Sequence, residues 1–550
     1  MSNLNIWCQT IVSVLYAKGV RYTCISPGSR NTPLSLSFLE HPNIKCYSIL
    51  DERSSGFFAL GIALKTQTPV ALICTSGTAL ANYLPSVIES DLNRTPLIFL
   101  SADRPEKLIG TGENQTINQK NIFKNFNRTF VDIGLPHENY NSLIKDLDAG
   151  MNASLGYNYT NIFLPGPIHI NCQFDEPLFY KYHEENIHCT LQSANYKSSK
   201  IELDLRSYSR PLIVCGRNKS DDMLPVLKLS EDLNAPILAD PLSQLRYSNH
   251  KNIISAYNHY LDKINFEPDV VFYFGLSPVS KILNNKMKYW NTILFDSSNG
   301  YNNYAKTIIN TDIQTACNYI SDSIEKTNPS MLNKFLNIDT KINSIISDNI
   351  CNDWSENSII SMCFNFLSNN DNIFIGNSMP IRNMDNFIGS TNTNINTFSN
   401  RGASGIDGVV SSAIGVAESN SESKTLLLIG DLSFLHDINA LLFTGRHSLN
   451  MTIVVINNNG GGIFSSLPIA DKENEHFLDF WTTPQNINVR KVAKSYEVNC
   501  ETVNSNEELS SSLQKSFYKK GLYIINAIVD INSNLESNNK LIEKIKRVID

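Results

Sequence analysis

No apolar run in the 550 residues approaches the roughly 18 residues of a membrane-spanning helix. The opening stretch MSNLNIWCQTIVSVLYAKG also lacks the basic start and small-residue cleavage site of a signal peptide, and it reads as a helix closed by Gly19. Basic blocks are missing. The Lys and Arg are scattered and the net charge is −7, which argues against nucleic acid as a partner and confines any anion to a local pocket. The 11 cysteines are odd in number and include no Cys-x-x-Cys pair, so neither a disulfide framework nor a zinc site is indicated. They read as small buried hydrophobes of a reducing compartment, and a cytoplasmic chain without a membrane span is expected. The Asn-rich patches at 369–372 and 391–400 carry no functional reading.

What is present is enough apolar material, 42% of residues, for three or four domain cores. Short apolar runs alternate with helical segments, the pattern of α/β domains with doubly wound, mostly parallel sheets. Candidate strands of a first domain (1–185) are Tyr22–Ser26, Ile44–Ile49, Val70–Cys74, Leu97–Ser101 and Asn161–Leu164. The first four end in SPGSR, DERSSG, TSGTA and SADRP, polar or small loops at strand carboxyl ends, where such sheets bind ligands. A second domain (196–345) has runs at 211–216, 235–240, 269–275 and 292–296, with no glycine-rich phosphate fingerprint after them. Residues 324–350 read as a polar connection. A third domain (350–550) begins with a helix near Ser355, has strands at 372–376, 426–430, 451–457 and 522–529, and ends in a charged surface helix from Leu535.

The most informative stretch runs from Leu426 to Leu467. Two apolar runs, one ending in Gly430-Asp431 and the other in Asn457-Asn458-Asn459 and three glycines, read as parallel neighbours joined by a right-handed crossover. Asp431 and Asn458 then share one sheet edge. A carboxylate, an amide oxygen and the bare backbone near Gly460 suit a hard divalent cation such as Mg²⁺ shared with a diphosphate. Gly460, Gly461 and Gly462 are expected to take positive φ and let the chain approach a ligand. Either half alone reads better as an ordinary strand-end Asp or an Asn-Gly turn; the spacing of the pair favours the metal. Elsewhere Arg30, Arg104, Arg382 and Arg401 all sit beside glycine, proline or serine turns. Each could make a structural ion pair, and together they would suit substrates rich in carboxylates. In the second loop Asp51 or Ser54 could cap a helix from about Ser55 to Lys65.

The stretch 430–459 resembles the cofactor-anchoring motif of thiamine-diphosphate enzymes, which opens Gly-Asp and closes one crossover later in Asn-Asn. Gly-Asp-Leu-Ser stands here in place of the usual Gly-Asp-Gly. With SPGSRNTPL (26–34), DERSSGFFALGIA (51–63), TSGTALAN (75–82), ENQTI (113–117), GNSMPIR (376–382) and SNRGASGIDG (399–408), that variant resembles the branch of the family in menaquinone biosynthesis.

The resemblance implies a pyrimidine-binding first domain, a central domain and a diphosphate-binding third domain, with active sites between subunits of a homodimer or dimer of dimers. It implies thiamine diphosphate with Mg²⁺, or Mn²⁺ in its place, and decarboxylation of 2-oxoglutarate followed by 1,4-addition of the four-carbon unit to isochorismate. Glu52 is then the carboxyl that meets the aminopyrimidine and favours its imino tautomer, a group expected in a mostly apolar site. Gln115 is a second catalytic candidate. Thr75, Ser76, Gly77, Ile406, Ser433, Ile463, Phe464 and Leu467 are the implied cofactor contacts, Ile406 propping the bent cofactor. Asp431, Asn458 and Gly460 hold the metal. Ser29, Arg30, Arg104, Asn114, Gln115, Lys281, Ser378, Arg382 and Arg401 orient the acids, although Ile282 stands where the family can carry a second charge beside Lys281. Two rivals remain: another thiamine-dependent decarboxylase or carboligase such as acetolactate synthase, and a non-catalytic nucleotide-binding α/β protein.

Overall fold

Parallel strands buried on both faces read as continuous β-branched and aliphatic runs, and of the eighteen strands in the described part of the chain the central ones, such as Val70–Cys74, Pro211–Cys215 and Val270–Phe274, form where such runs occur. The computed structural model describes residues 3–157, 164–185, 187, 189–191, 200–218, 223–264, 267–298, 304–324, 327–391, 393–445, 447, 449–470 and 475–549. The first sheet comprises β1 (Tyr22–Ile25), β2 (Lys45–Ser48), β3 (Val70–Cys74), β4 (Leu97–Asp103), β5 (Phe130–Gly134) and β6 (Ile168–Gln173). The middle sheet comprises β7 (Pro211–Cys215), β8 (Ile237–Ala239), β9 (Ile253–Ile254), β10 (Val270–Phe274), β11 (Thr292–Phe295) and β12 (Thr307–Ile309). The third comprises β13 (Asn372–Ile375), β14 (Asn396–Phe398), β15 (Thr425–Gly430), β16 (Asn450–Asn457), β17 (Asn499–Val503) and β18 (Gly521–Ile528).

All the pairings between these strands are parallel. The first and third sheets share one order, β2-β1-β3-β4-β6-β5 and β14-β13-β15-β16-β18-β17, while the middle sheet runs β12-β11-β10-β7-β8-β9. This is the three-domain α/β architecture expected from the sequence. The middle order is that of dinucleotide-binding sheets, whose ligand crevice opens where the order reverses, between β7 and β10. Here backbone closes that point: Arg217 and Leu276 form a bridge across it, and a Cβ on Gly216 would lie 1.6 Å from the Leu276 oxygen.

By their contacts the residues form two compact units. One takes Met1–Tyr196, Asn400–Asn420 and His436–Phe443; the other takes Lys197–Ser399, Ser421–Leu435 and Thr444–Asp550. The first sheet belongs to the first unit and the other two sheets to the second. Within the first unit the helix Val409–Ser419 lies against the helix Glu52–Thr66. Small residues permit the approach, since a Cβ on Gly61 would meet the Ser412 oxygen at 1.9 Å. Phe443 packs its ring 4.7 Å from that of Phe58 and 6.0 Å from that of Tyr47.

Two readings change and a third falls outside the described residues. The strand expected at 161–164 lies, apart from Leu164, outside the described residues, and the strand beside β4 is β6. The connection at 324–350 is mostly a helix, Ser330–Asn349, with Phe335 and Ile342 buried. The charged tail is the helix Ile531–Ile549, whose Leu541 and Ile545 enter the middle core, so only its other face meets solvent.

Candidate functional site

The carboxyl ends of the first sheet gather most of the first unit's candidates. The loops after β1 and β3 touch, because a Cβ on Gly28 would lie 2.4 Å from the Thr75 Cβ. Ser76 is buried and knotted to Gln115: the Ser76 hydroxyl donates to the Gln115 carbonyl at 3.1 Å, and Gln115 Nε2 donates back to the Ser76 carbonyl at 3.0 Å. Gln115 holds φ at 55°, in the left-handed region that side-chain-bearing residues adopt uncommonly. Beneath the knot the Gly77 N–H donates to Gln119 Oε1 at 2.9 Å. Arg104 donates to the Ser76 hydroxyl. Burial lowers the pKa of Arg104, and the Arg30 guanidinium close by lowers it further. Arg30 gives one N–H to the Phe174 carbonyl at 3.0 Å and keeps a buried Nε with no partner among the described residues. Glu176 Oε1 lies 3.8 Å from Arg30 Nη2, and Glu113, Asp103 and Glu176 offset part of the charge at Arg104, so two guanidinium groups and several carboxylates share this loop cluster. Ser29 and Asn114 are exposed on the same loops.

Glu52 begins its helix at the end of β2, three residues before the helix start read from the sequence. Asp51 is the cap, accepting from the backbone N–H of Arg53 at 2.9 Å and of Ser54 at 3.3 Å. Capping by the neighbour leaves the Glu52 carboxylate for other work. It accepts from Asn82 Nδ2 at 3.3 Å and is half-buried, so the apolar enclosure expected around it is incomplete within one chain.

The loop Asn400–Gly408 carries Arg401 and Ile406, and its anchor escaped the sequence reading. Glu89, 2% exposed, accepts from the backbone N–H groups of Gly402 and Ala403, each at 2.7 Å, and of Ser404 at 3.2 Å. Asn93 Nδ2 adds a fourth donor at 2.6 Å. Three successive N–H groups turned onto one carboxylate hold the loop as a nest. Ile406 stands 45% exposed at its tip.

In the second unit β15 and β16 are parallel neighbours with Gly430 opposite Ile456, as the crossover reading required, so Asp431 and Asn458 leave the sheet side by side. Asp431 is buried. Desolvation pushes its carboxyl up to about 6, against the lowering effect of the backbone N–H groups of Leu432 and Gly460 that donate to it. Asn458 Nδ2 donates to Glu356 Oε1 at 3.0 Å, while its Oδ1 is buried without a partner among the described residues. The Gly460 carbonyl accepts from the Gly462 N–H at 3.0 Å and keeps a second lone pair. A buried carboxylate costly to ionise, an orphaned amide oxygen and a carbonyl are the oxygen donors a hard divalent cation takes, and the residues fit one. Among the described residues no group of three or more His, Cys, Asp or Glu forms an alternative metal site.

Of the three glycines only Gly460 has positive φ, at 143°. Gly461 and Gly462 are required by packing instead, since a Cβ would meet the Trp481 oxygen at 2.9 Å and Asn458 Nδ2 at 2.4 Å. Ile463 and Phe464 follow on a short 3₁₀ turn, half-buried, with Leu467 exposed beyond it. Ser433 is buried on the turn of helix after Asp431. Ser378 holds φ at 71° as the N-cap of the helix Met379–Phe387, and its carbonyl accepts from Arg382 at 2.6 Å. Lys281 is exposed at the start of another helix, and Ile282 packs into the middle core, so no second side chain faces outward with Lys281 there.

Thus Arg30, Thr75, Ser76, Gly77, Arg104 and Gln115 come together, as do Asp431, Asn458 and Gly460. Glu52, Arg401 and Ile406 belong to the first unit, and Lys281, Ser378 and Arg382 to the second. The sequence reading passed over Glu89, Gln119, Glu356 and Asn383. For Glu89, Glu356 and Asn383 the available signal was a charged or amide residue on the buried face of a helix, as Glu89 is beside Val87 and Ser90, while Gln119 lies on a loop and carried none.

Comparison with known proteins bears on the same regions. Residues 8–122 match the N-terminal TPP binding domain of thiamine pyrophosphate enzymes, and residues 385–527 match the C-terminal TPP binding domain. A 2-succinyl-5-enolpyruvyl-6-hydroxy-3-cyclohexene-1-carboxylate synthase from Listeria innocua is 35% identical, covering 98% of this chain and 97% of its own. Proteins of the same name from Staphylococcus epidermidis, 34% identical over 98% of this chain and 97% of theirs, and Oceanobacillus iheyensis, 33% identical over 99% and 98%, are similar to it throughout. With that similarity running through all three domains, the chain belongs to the 2-succinyl-5-enolpyruvyl-6-hydroxy-3-cyclohexene-1-carboxylate synthase family of thiamine pyrophosphate enzymes.

Proposed function

We propose that the enzyme decarboxylates 2-oxoglutarate and adds the remaining four-carbon unit to isochorismate in a 1,4 sense, a step of menaquinone biosynthesis carried out in the cytoplasm. Bound thiamine diphosphate supplies the nucleophilic carbon and the electron sink. Asp431, Asn458 Oδ1 and the Gly460 carbonyl hold Mg²⁺, or Mn²⁺, against the diphosphate, with Ser433 beside it. Glu52 hydrogen-bonds the aminopyrimidine and holds the proton that selects its tautomer. Ile406, Ile463, Phe464 and Leu467 supply apolar walls, and Thr75, Ser76 and Gly77 a polar one.

The observation that carries the choice of substrates is that Arg104, bonded to the Ser76 hydroxyl of the Ser76–Gln115 knot, has the Arg30 guanidinium close enough to lower its pKa. Two neighbouring cations, offset only in part by Glu176, Asp103 and Glu113, are relieved further by a dianion. Ser29, Asn114, Gln115, Lys281, Ser378, Arg382 and Arg401 complete the recognition of two diacids. Gln115, held by the knot, presents a polar group to the reacting carbons.

The active unit is a homodimer or a dimer of dimers in which Glu52 of one copy and Asp431 of another serve one cofactor. The exposed Leu50, Ile406, Leu467, Leu478 and Phe480 support this, being apolar groups on or close to the loops assigned to the cofactor. A flavin-binding relative such as acetolactate synthase is disfavoured, because Arg217 and Leu276 close the crevice of the middle sheet with backbone.

The test supplies thiamine diphosphate and Mg²⁺ with 2-oxoglutarate or pyruvate, each with and without isochorismate. Carbon dioxide release from 2-oxoglutarate together with loss of isochorismate absorbance is expected. Release from pyruvate but not from 2-oxoglutarate would overturn the assignment.

A further inference from the structure

An asparagine side chain has a carbonyl end and an NH₂ end, and only the carbonyl can face a cation. Which end Asn458 turns outward is set by what its other end meets. Its Nδ2 donates to Glu356 Oε1 at 3.0 Å, and its Oδ1 is left buried and unpartnered. Glu356 Oε2 accepts in turn from Asn383 Nδ2 at 3.2 Å. Glu356 is 3% exposed, and its backbone N–H donates to Asn534 Oδ1 at 2.9 Å. It occupies the first position of the helix Glu356–Asn365, whose start is locked by reciprocal hydrogen bonds between Ser355 and Ser358. The carboxylate is therefore held in place and offers acceptors to both amides.

We infer that Glu356 is a positioning residue that orients Asn458 for the metal and ties it to the helix of Arg382. Both Asn donors find an acceptor on Glu356, so turning Asn458 over would set its Oδ1 against a carboxylate oxygen and leave its NH₂ toward the cation. Asn383 directly follows Arg382 on the helix Met379–Phe387, which Ser378 caps. One buried carboxylate thus joins the proposed diphosphate end of the site to a proposed substrate contact. Removing a group that holds a metal ligand in place commonly costs about 10- to 100-fold in metal affinity. This role rests on the assignment of Asp431, Asn458 and Gly460 to Mg²⁺.

The experiment titrates Mg²⁺ into the full-length protein with thiamine diphosphate present and reads cofactor binding by calorimetry, with no turnover required. Glu356→Ala is expected to weaken Mg²⁺ affinity by roughly 10- to 100-fold. Asn458→Asp, which has no NH₂ end, should be impaired while Glu356 remains, because two carboxylates then face each other. Glu356→Gln combined with Asn458→Asp restores a donor opposite an acceptor, with the Gln carbonyl still available to Asn383, and should regain affinity to within about tenfold of wild type. A purely structural role makes the two changes add. If Asn458→Asp binds equally well with and without Glu356→Gln, or if Glu356→Ala binds as wild type does, the inference is overturned. The coupling between the double variant and Asn458→Asp remains readable even if Glu356→Ala does not fold. Should wild type bind thiamine diphosphate equally in Mg²⁺ and in chelator, the metal assignment itself falls and takes this role with it, an outcome distinct from failure of the Glu356 variants alone.

Discussion

Replacing Glu89 by Gln changes one oxygen to NH₂ and should disable the loop that carries Arg401 and Ile406. Oε1 of Glu89 accepts from Gly402 N and Asn93 Nδ2, and Oε2 from Ala403 N and Ser404 N. An amide retains an acceptor for one of these pairs and sets a donor against the other, so two hydrogen bonds to a charged group are lost whichever way it turns. Such bonds are worth about 1.5–3 kcal/mol each, which gives about 3–6 kcal/mol if the loop stays in place. Releasing the loop to water limits that cost, and the loss in urea unfolding should be about 3 kcal/mol, the remainder being taken up by loop mobility. Three measurements follow on one preparation: the unfolding midpoint, the rate of tryptic cleavage after Arg401, and steady-state kinetics with both acids. Glu89→Gln should unfold earlier, be cut faster after Arg401 and show a raised KM. Asn93→Ala, which removes one donor of four, should lose about 1.5 kcal/mol, the low end of that range. If Glu89→Gln stays within about 0.5 kcal/mol of wild type with an unchanged KM, the nest does not hold the loop.

Glu52→Gln should keep most thiamine-diphosphate affinity and lose turnover, whereas Asp431→Ala should lose cofactor binding at ordinary Mg²⁺ concentrations. Mixing and reassociating these two inactive variants should return about a quarter of wild-type activity if each site uses Glu52 from one copy and Asp431 from another, because half the dimers are mixed and each of those has one intact site; no recovery despite verified exchange would place both residues in one chain's site. Burial lifts the Asp437 carboxyl to about 7 although Ser411 donates to it through both its N–H and its hydroxyl. Its folded pKa lies above its unfolded value, so the contribution to stability is full below pH ~4 and is lost as pH rises through about 7. Asp437→Asn removes that slope, and urea midpoints should move in the variant's favour by up to about 4 kcal/mol between pH 4 and 8; parallel curves would refute the shift. Arg246 and Asp385 form an ion pair at 2.8 Å, 1% and 2% exposed. Arg246→Met alone should cost about 3–5 kcal/mol, and adding Asp385→Leu should recover little of it by thermal melting, because Arg246 also donates to the Ala239, Ser255, Asp385 and Ile388 carbonyls and Asp385 also accepts from Tyr257 and Asn258.

Much of this architecture could be read from residue pattern alone. Val70–Cys74 and Leu426–Gly430 are buried on both faces, and their unbroken apolar character announces parallel strands. β6 was hidden because its sequence, IHINCQ, alternates polar groups into the interior. His169 Nε2 meets the Ser101 hydroxyl at 2.7 Å, and Asn171 Nδ2 donates to Asp103 at 3.0 Å, partners that only tertiary structure supplies. β9, with two residues, and β14, with three, are edge strands too short for a periodicity. At the candidate site, the residues named from sequence lie in recognisable loops, while Glu89 and Glu356, which bond to those loops from behind, carried no such signal. Gly460 was legible because a strand end followed by glycines has few uses. Glu356 was not, because nothing in Ser-Glu-Asn marks a carboxylate that will meet two asparagines 27 and 102 positions away.

The two compact units are interleaved along the chain, and this bears on biosynthesis. The first unit includes Asn400–Asn420 and His436–Phe443, so it cannot finish until residue 443 has left the ribosome, 247 residues after Tyr196. At cellular elongation rates that wait is about 12–50 s, far longer than a small domain needs to fold. During it the helix Glu52–Thr66 lacks the cover of Val409–Ser419, and the Phe58 ring lacks Phe443. A nascent chain stalled in that window should bind chaperones through this helix, and a fragment ending at residue 196 should aggregate when expressed alone.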